Sequence, residues 1–352
     1  MWNKTELSQL LQIKYPIIQA PMAGGPTTLQ LVSEVSNSGG LGMIGAGYFS
    51  ADQMRTVIKE VHQRTKLPFG VNLFVVEEEA ISESDLHKSF DALEPIRKAL
   101  KIPNEVPDVK ASLTIERHVE VIIEEGVSVC SFTFGIPPQS IITRLKENNI
   151  IVIGTATTVE EAIAVENAGM DAVVAQGSEA GGHRGSFLGE SKGGLIGTMA
   201  LVPQIVDHVK IPVIASGGIM DARGFAAATM LGAEGVQMGT VFLTTVESGA
   251  HDLHKKAIMD ATEENTVITK SFSGKAARGI ENDFIRLMND NACIAPYPIQ
   301  NTLTKSIRKE AANQGNEDYM SLWAGQGTRL NKEMTVKELF EELVSEIDKK
   351  LK

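Results

Sequence analysis

Residues 211–242, IPVIASGGIMDARGFAAATMLGAEGVQMGTVF, contain a complete strand-helix-strand unit. An apolar β-branched run, Ile211 to Ile219, ends in paired glycines. A helix-length segment, Asp221 to Leu231, follows with an aspartate at its N-cap and Gly232 as its stop. A second apolar run then starts at Gly235. Strands buried on both faces read as continuous apolar runs, and a helix returning between two of them makes them parallel. The same grammar recurs upstream: Thr158 to Ala168 starts on a threonine N-cap with a paired-glutamate first turn and stops at Gly169.

Working outward, strands are predicted at YPIIQAPM (from Tyr15), GLGMIGA (Gly40), PFGVNLFV (Pro68), VSVCSFTF (Val127), IIVIGTA (Ile150), DAVVAQG (Asp171), IPVIASGGI (Ile211) and GVQMGTVF (Gly235). Eight such runs alternating with helices predict a closed α/β (β/α)8 TIM barrel over residues 1–246. A longer acidic and polar stretch, about 77–115, reads as an insertion after the third strand. Residues 247–352, with helical patterns at His251 to Thr262, Gly279 to Asn289 and Thr335 to Lys352, read as helical additions over the barrel mouth within one structural unit. A separate C-terminal domain is the competing reading.

The 352 residues are 43% hydrophobic and 22% charged, enough to bury a large core. A formal net charge of −11 argues against a nucleic-acid partner, since neutralising phosphates requires clustered Lys and Arg. Two cysteines, Cys130 and Cys293, are too few for a disulfide framework. With neither a signal-peptide pattern nor a membrane-length apolar stretch, a cytoplasmic protein with no membrane partner is expected. Oligomeric state has no signature here.

In barrels of this kind chemistry gathers at the C-terminal strand ends, with phosphate often held after strands seven and eight. Gly217 and Gly218 follow the seventh strand, and Gln237, Met238, Gly239 and Thr240 close the eighth. Together they form a candidate phosphate cradle, because glycine lets backbone N–H groups approach phosphate oxygens closely. Either run alone is more simply a tight turn. After the sixth strand comes AQGSEAGGHRG, Ala175 to Gly185, where Gly181 and Gly182 precede His183. Such a loop can press against a flat ligand and present one titratable ring to it. The bland alternative is a histidine bonded to loop backbone. His62, His87, His118, His208, His251 and His254 lie in predicted helices or connections and are read as structural. Asn72 and Gln176 are polar residues at strand ends that either satisfy backbone or bind a ligand. Met22, ending the first strand, either packs in the core or flanks a ring. Glu179 and Arg184 are read as local ion-pair or loop-fixing residues. No HExxH, CxxC or GxSxG motif supports a metal site or a serine hydrolase.

The ordered set QAPMAGG, SGGLGMIGAG, PFGVNLFV, QGSEAGGHRG, IPVIASGGI and GVQMGT, with WAGQG at Trp323 to Gly327, resembles the nitronate monooxygenase (2-nitropropane dioxygenase) family. That resemblance implies a barrel binding FMN, with Asn72, Gln176, Gly181, Gly218 and Gln237 to Thr240 at cofactor positions and His183 as the active-site histidine. It also implies an alkyl nitronate, such as propionate 3-nitronate, oxidised with O2 to a carbonyl compound and nitrite. Flavin-dependent enoyl-acyl-carrier-protein reductase and NAD(P)H:quinone reductase are the neighbouring alternatives, and a non-enzymatic flavin-binding protein is a third. Ala20-Pro21-Met22 in place of Gly-Gly-Met, and the long Ser186 to Gly194 segment, favour the nitronate group.

Overall fold

Eight parallel strands wind in the order expected from the alternation. In the computed structural model, which describes residues 1–76, 81–109, 115–189, 195–288 and 293–351, they are β1 (Ile17–Gln19), β2 (Gly42–Gly45), β3 (Phe69–Phe74), β4 (Val129–Thr133), β5 (Ile151–Ala156), β6 (Ala172–Gln176), β8 (Val213–Ser216) and β9 (Gly235–Met238). Their spatial order is β1-β9-β8-β6-β5-β4-β3-β2, and a parallel bridge between Ile18 and Leu41 closes β2 onto β1. The seam is short, so a side chain completes it: the fully buried Gln19 accepts from the Met43 amide (3.0 Å) and donates to the Ala20 carbonyl.

Alternation along each strand sorts residues to two sides. Val71, Cys130, Phe132, Val152, Val173, Val213 and Val236 pack outward against the helices. Inward, Ile18, Met43, Val129, Ile153, Ala172, Val174 and Ile214 fill the base of the barrel, where Leu7 and Leu11 plug the end. Toward the C-terminal end the inward set turns polar: Asn72, Ser131, Thr133, Thr155, Gln176, Ser216 and Gln237 ring the mouth and line a cavity.

The two helices read most clearly from sequence have the expected ends. Thr158 caps Val159–Asn167, with Gly169 at φ +82°, and Asp221 accepts from the Arg223 and Gly224 amides to cap Ala222–Met230, with Gly232 at φ +95°. Downstream of β9 the chain crosses the mouth and then returns to the flank. The helix Val336–Lys350 buries Val336, Leu339, Phe340, Leu343 and Ile347 against the helices Leu29–Asn37 and Ala222–Met230. It thus packs as a barrel helix rather than over the mouth.

The segment expected to be helical from Gly279 starts instead as strand β11 (Ala277–Ile280), with the helix delayed to Asp283–Met288. Tertiary contact overrides the local pattern here. Strand β10 (Thr266–Thr269) and a two-residue strand β7 (Gly182–His183) flank β11, and a Cβ on Gly279 would lie 2.8 Å from the Leu322 carbonyl. Within the insertion, Glu83–Ala92 and Glu94–Ala99 are helical, and Phe90, Leu93 and Ile96 join Phe272, Phe284 and Ile299 in a second apolar cluster. Residues 77–80 and 110–114 of the insertion, and 190–194 of the Ser186 to Gly194 segment, lie outside the described residues. Among the described residues no helix is long and apolar enough to cross a membrane, and no group of three His, Cys, Asp or Glu is placed to hold a metal ion.

Candidate active site

The loop after β6 is held from both sides. Arg184 donates to the carbonyls of Gly177 (2.6 Å) and Gln176 (2.9 Å), while the Gln176 side chain donates to the His183 carbonyl (3.1 Å) and accepts from the Gly185 amide (2.8 Å). Both ends of the Gln176 amide are therefore engaged with loop backbone, which is the structural alternative weighed for it. Glu179 accepts from the amide and hydroxyl of Thr198 (2.9 Å each), fastening the loop to the next helix. Gly181 packs so tightly on residues 324–325 that a Cβ would lie 2.5 Å from the Ala324 carbonyl carbon, and Gly182 turns at φ +72°. Pairing of Gly182 with Arg278 and His183 with Ala277 then fixes the histidine at the cavity.

His183 borders the cavity, but aromatic rings enclose it: Trp323 at 5.4 Å, Phe134 at 5.8 Å and Tyr297 at 5.9 Å between centroids. Its Nε2 lies 2.8 Å from Ser273 Oγ, whose hydroxyl also lies 3.1 Å from the Lys275 carbonyl. With the serine hydroxyl donating to Nε2, the shorter of its two contacts, the imidazole proton sits on Nδ1, which is left as a donor.

Burial, reinforced by the positive charges of Arg308 and Lys275, pushes the His183 pKa down to about 3, so the ring is neutral at physiological pH. Burial also lowers buried His254, which donates to the Trp323 carbonyl at 2.9 Å, to about 4. Because these folded values lie below the unfolded value near 6.5, the unfolded chain binds more protons on acidification. Stability is thus fully present above about pH 6.5 and is lost as pH falls from there toward 3. Thermal melts between pH 7.5 and 4.5 should show a falling Tm that is shallower in His183→Asn. An equal slope in the two proteins would contradict the lowered proton affinity of the ring.

The cavity is about 370 Å³, in the range of small-ligand sites. Met22, Asn72, Gln176, Gly181, Gly182, His183, Gly217, Gly218, Gln237, Gly239 and Thr240 all line it. Met238 does not: with Gln237 pointing inward, alternation turns Met238 outward into the helix-facing core, where it is 1% exposed. Its side chain therefore packs in the core, so any part it takes in the cradle falls to its backbone. Asn72 donates to Ser131 Oγ (2.9 Å) and Thr133 Oγ1 (3.0 Å), leaving its Oδ1 as an acceptor at the wall. Gly217 (φ +117°) and Gly218 (φ +69°) turn tightly at the end of β8, and neither amide donates to a protein acceptor among the described residues. A phosphate would satisfy them, so the residues present fit a phosphorylated ligand.

Several wall residues carried no sequence signal: Tyr48, Phe74, Phe134, Tyr297 and Arg308 come from segments far apart in the chain. Phe134 is held at φ +77°, a costly conformation for a bulky residue, with its ring 4.6 Å from that of Phe74. The nearest warning was the glycine that follows it.

A polar-rimmed barrel mouth with an enclosed histidine and a phosphate-sized glycine turn defines a small-molecule enzyme site. Comparison sharpens the class. The nitronate monooxygenase family model matches residues 4–346. A probable nitronate monooxygenase of Staphylococcus haemolyticus is 51% identical, covering 99% of this chain and 98% of that protein. One from Staphylococcus aureus is 55% identical, covering 94% and 93%. Among solved structures, nitroalkane oxidase from Streptomyces ansochromogenes superposes with a TM-score of 0.91 at 39% identity, covering 97% of this chain and 98% of that one. FabK from Thermotoga maritima superposes at 0.77 and 34%, covering 99% and 97%. The protein is an oxidoreductase built on a (β/α)8 barrel. It belongs to the nitronate monooxygenase family.

Proposed function

We propose that this chain is an FMN-dependent nitronate monooxygenase that oxidises alkyl nitronates with O2 to a carbonyl compound and nitrite. The observation that carries this reading is the enclosed, neutral His183 on its glycine-rich loop, sharing one cavity with the unpaired glycine amides. The amides of Gly217 and Gly218, with Gly239 and Thr240, would hold the cofactor phosphate, while Asn72 and Gln237 offer polar groups to the rest of it and Met22 flanks it. Bound FMN supplies the electron acceptor and the reactivity toward O2.

The state of His183 favours an already ionised substrate. An imidazole held neutral by burial is a weak base toward the α-proton of a neutral nitroalkane. An anion placed beside it raises its pKa, so a nitronate itself strengthens the hydrogen bond that holds its nitro group. Phe134, Tyr297 and Trp323 exclude water around that contact, which raises its worth. The likeness to nitroalkane oxidase supports a nitro compound as substrate class.

Stopped-flow mixing of the purified protein with propionate 3-nitronate, and separately with NADH and NADPH, tests this reading. Nitrite release under air with slow bleaching by either pyridine nucleotide is expected. Rapid anaerobic bleaching by NADH or NADPH with no response to nitronate would establish a reductase instead.

A further inference from the structure

Phe134 points the wrong way for a strand residue. Along β4 the alternation is regular: Cys130 and Phe132 pack outward among the helices, while Val129, Ser131 and Thr133 face the barrel interior. One further extended residue would carry the side chain at 134 outward again. Instead the backbone turns left-handed at φ +77° and returns the ring to the cavity. A bulky residue in that region is strained, and such strain persists only where the surrounding structure holds it. Gly135 packs so closely on Val75 that a Cβ would lie 3.0 Å from its Cγ1, and the Val75 amide donates to the Thr133 carbonyl (2.9 Å). Pro137 and Pro138 then stiffen the entry to the helix Gln139–Glu147.

The ring so placed stands edge-on to His183, 5.8 Å between centroids and 78° between planes, and it also meets Phe74 at 4.6 Å and Tyr297 at 5.4 Å. The Lys275 ammonium lies 5.0 Å from its centre and donates to the Ser186 carbonyl (2.9 Å), which holds the ring from a further side. A group hydrogen-bonded to the His183 imidazole within the cavity therefore lies beside Phe134. Phe74 and Tyr297 border a larger neighbouring groove, whereas His183 and Phe134 border the cavity alone. The Phe134 ring is thus a partition between the histidine and the groove.

We infer that Phe134 limits substrate size at the carbon bearing the nitro group, so that the preferred nitronates are primary and unbranched. This rests on the nitronate reading of the site. With the nitro group at His183, the carbon attached to it faces the ring, and a second substituent on that carbon must overlap the ring or displace it. Displacement is opposed by the contacts with Phe74, Tyr297 and Lys275 and by the fixed turn behind it. A held apolar wall of this kind discriminates by rejecting the larger ligand, and one methylene in such a pocket is worth about 10- to 200-fold in selectivity.

The test compares ethyl nitronate with propyl 2-nitronate, which adds one methyl at the reacting carbon, in wild type, Phe134→Leu, Phe134→Ala and Phe134→Gly. The wild type should favour ethyl nitronate at least about 10-fold in kcat/KM, and alanine should shift that ratio toward the secondary nitronate by about 10-fold or more, with leucine between the two. Glycine should shift the ratio as alanine does and melt at a higher temperature than alanine, because it adopts φ +77° without strain. Flavin content reports folding and the cofactor site separately from preference. A wild type that takes both nitronates equally, or flavin-loaded variants that lose activity on both with an unchanged ratio, would overturn the inference. If the wild type turns over neither nitronate, the proposed function fails, and titration of the bound flavin's visible spectrum with nitroethane and 2-nitropropane decides the wall alone. A gain of about 10-fold in relative affinity for 2-nitropropane in Phe134→Ala then upholds it, and an unchanged ratio of affinities removes it.

Discussion

His183→Ala should retain flavin and lose nitronate turnover by about 100- to 1,000-fold, the range for deleting one preorganised hydrogen-bonding group at a developing or bound anion. The loss should reach KM as well as kcat, because the substrate is already anionic when it binds and the contact is made in the bound ground state. Folding is not the concern at this position. The strand pairing of His183 with Ala277 and the Gln176 bond to its carbonyl are backbone contacts that alanine keeps. The side chain surrenders one hydrogen bond, to Ser273, and its contacts with three rings. Steady-state nitrite release and the ratio of flavin to protein absorbance measure the two properties separately. A flavin-loaded alanine variant with undiminished turnover would reduce His183 to a loop residue and remove the main support for the proposed function.

Gly217→Ala should strip the cofactor without unfolding the barrel. At φ +117° an alanine is strained by about 1–3 kcal/mol, and its Cβ would meet Thr198 Oγ1 at 2.8 Å and the Ala180 amide at 3.2 Å. Relief comes by rotating the peptide or by pushing Thr198. The first turns the Gly218 amide away from the phosphate. The second disturbs the Glu179 fastening of the histidine loop, because Thr198 donates to both Glu179 and the Gly217 carbonyl. Converted to affinity, the strain alone weakens FMN by about 5- to 150-fold, readable by flavin titration and by retention through dialysis. Gly169→Ala is the matching control. It has φ +82° with open space around its Cβ and ends a helix on the barrel's flank, so it should lower Tm through about 1 kcal/mol of strain while leaving flavin affinity intact.

The parts of the site legible in sequence share one property: each is local. Gly217, Gly218 and His183 sit at strand ends that apolar runs and helix caps mark within ten or so residues, so their arrival at one barrel mouth follows once eight parallel strands are counted. Asn72 and Gln176 were visible as polar breaks in apolar runs, but which of the two would keep a free atom was not. The structure gives Gln176 wholly to the loop backbone and leaves Asn72 Oδ1 available. Met238 shows the limit of reading a motif as a block, since a single step along a strand reverses the direction of its side chain.

The amino-acid sequence by itself determined the barrel and the floor of its site, because strand burial, helix caps and glycine turns depend on neighbours a few residues away. Tertiary structure alone decided the roof. Ser273, Tyr297, Arg308 and Trp323 approach His183 through a chain that leaves the barrel after β9, crosses its mouth and comes back as the flanking helix Val336–Lys350, and Phe134 reaches it from the loop after β4. The low proton affinity of the histidine arises from that enclosure, and burial is a property of the assembled fold that no local pattern encodes.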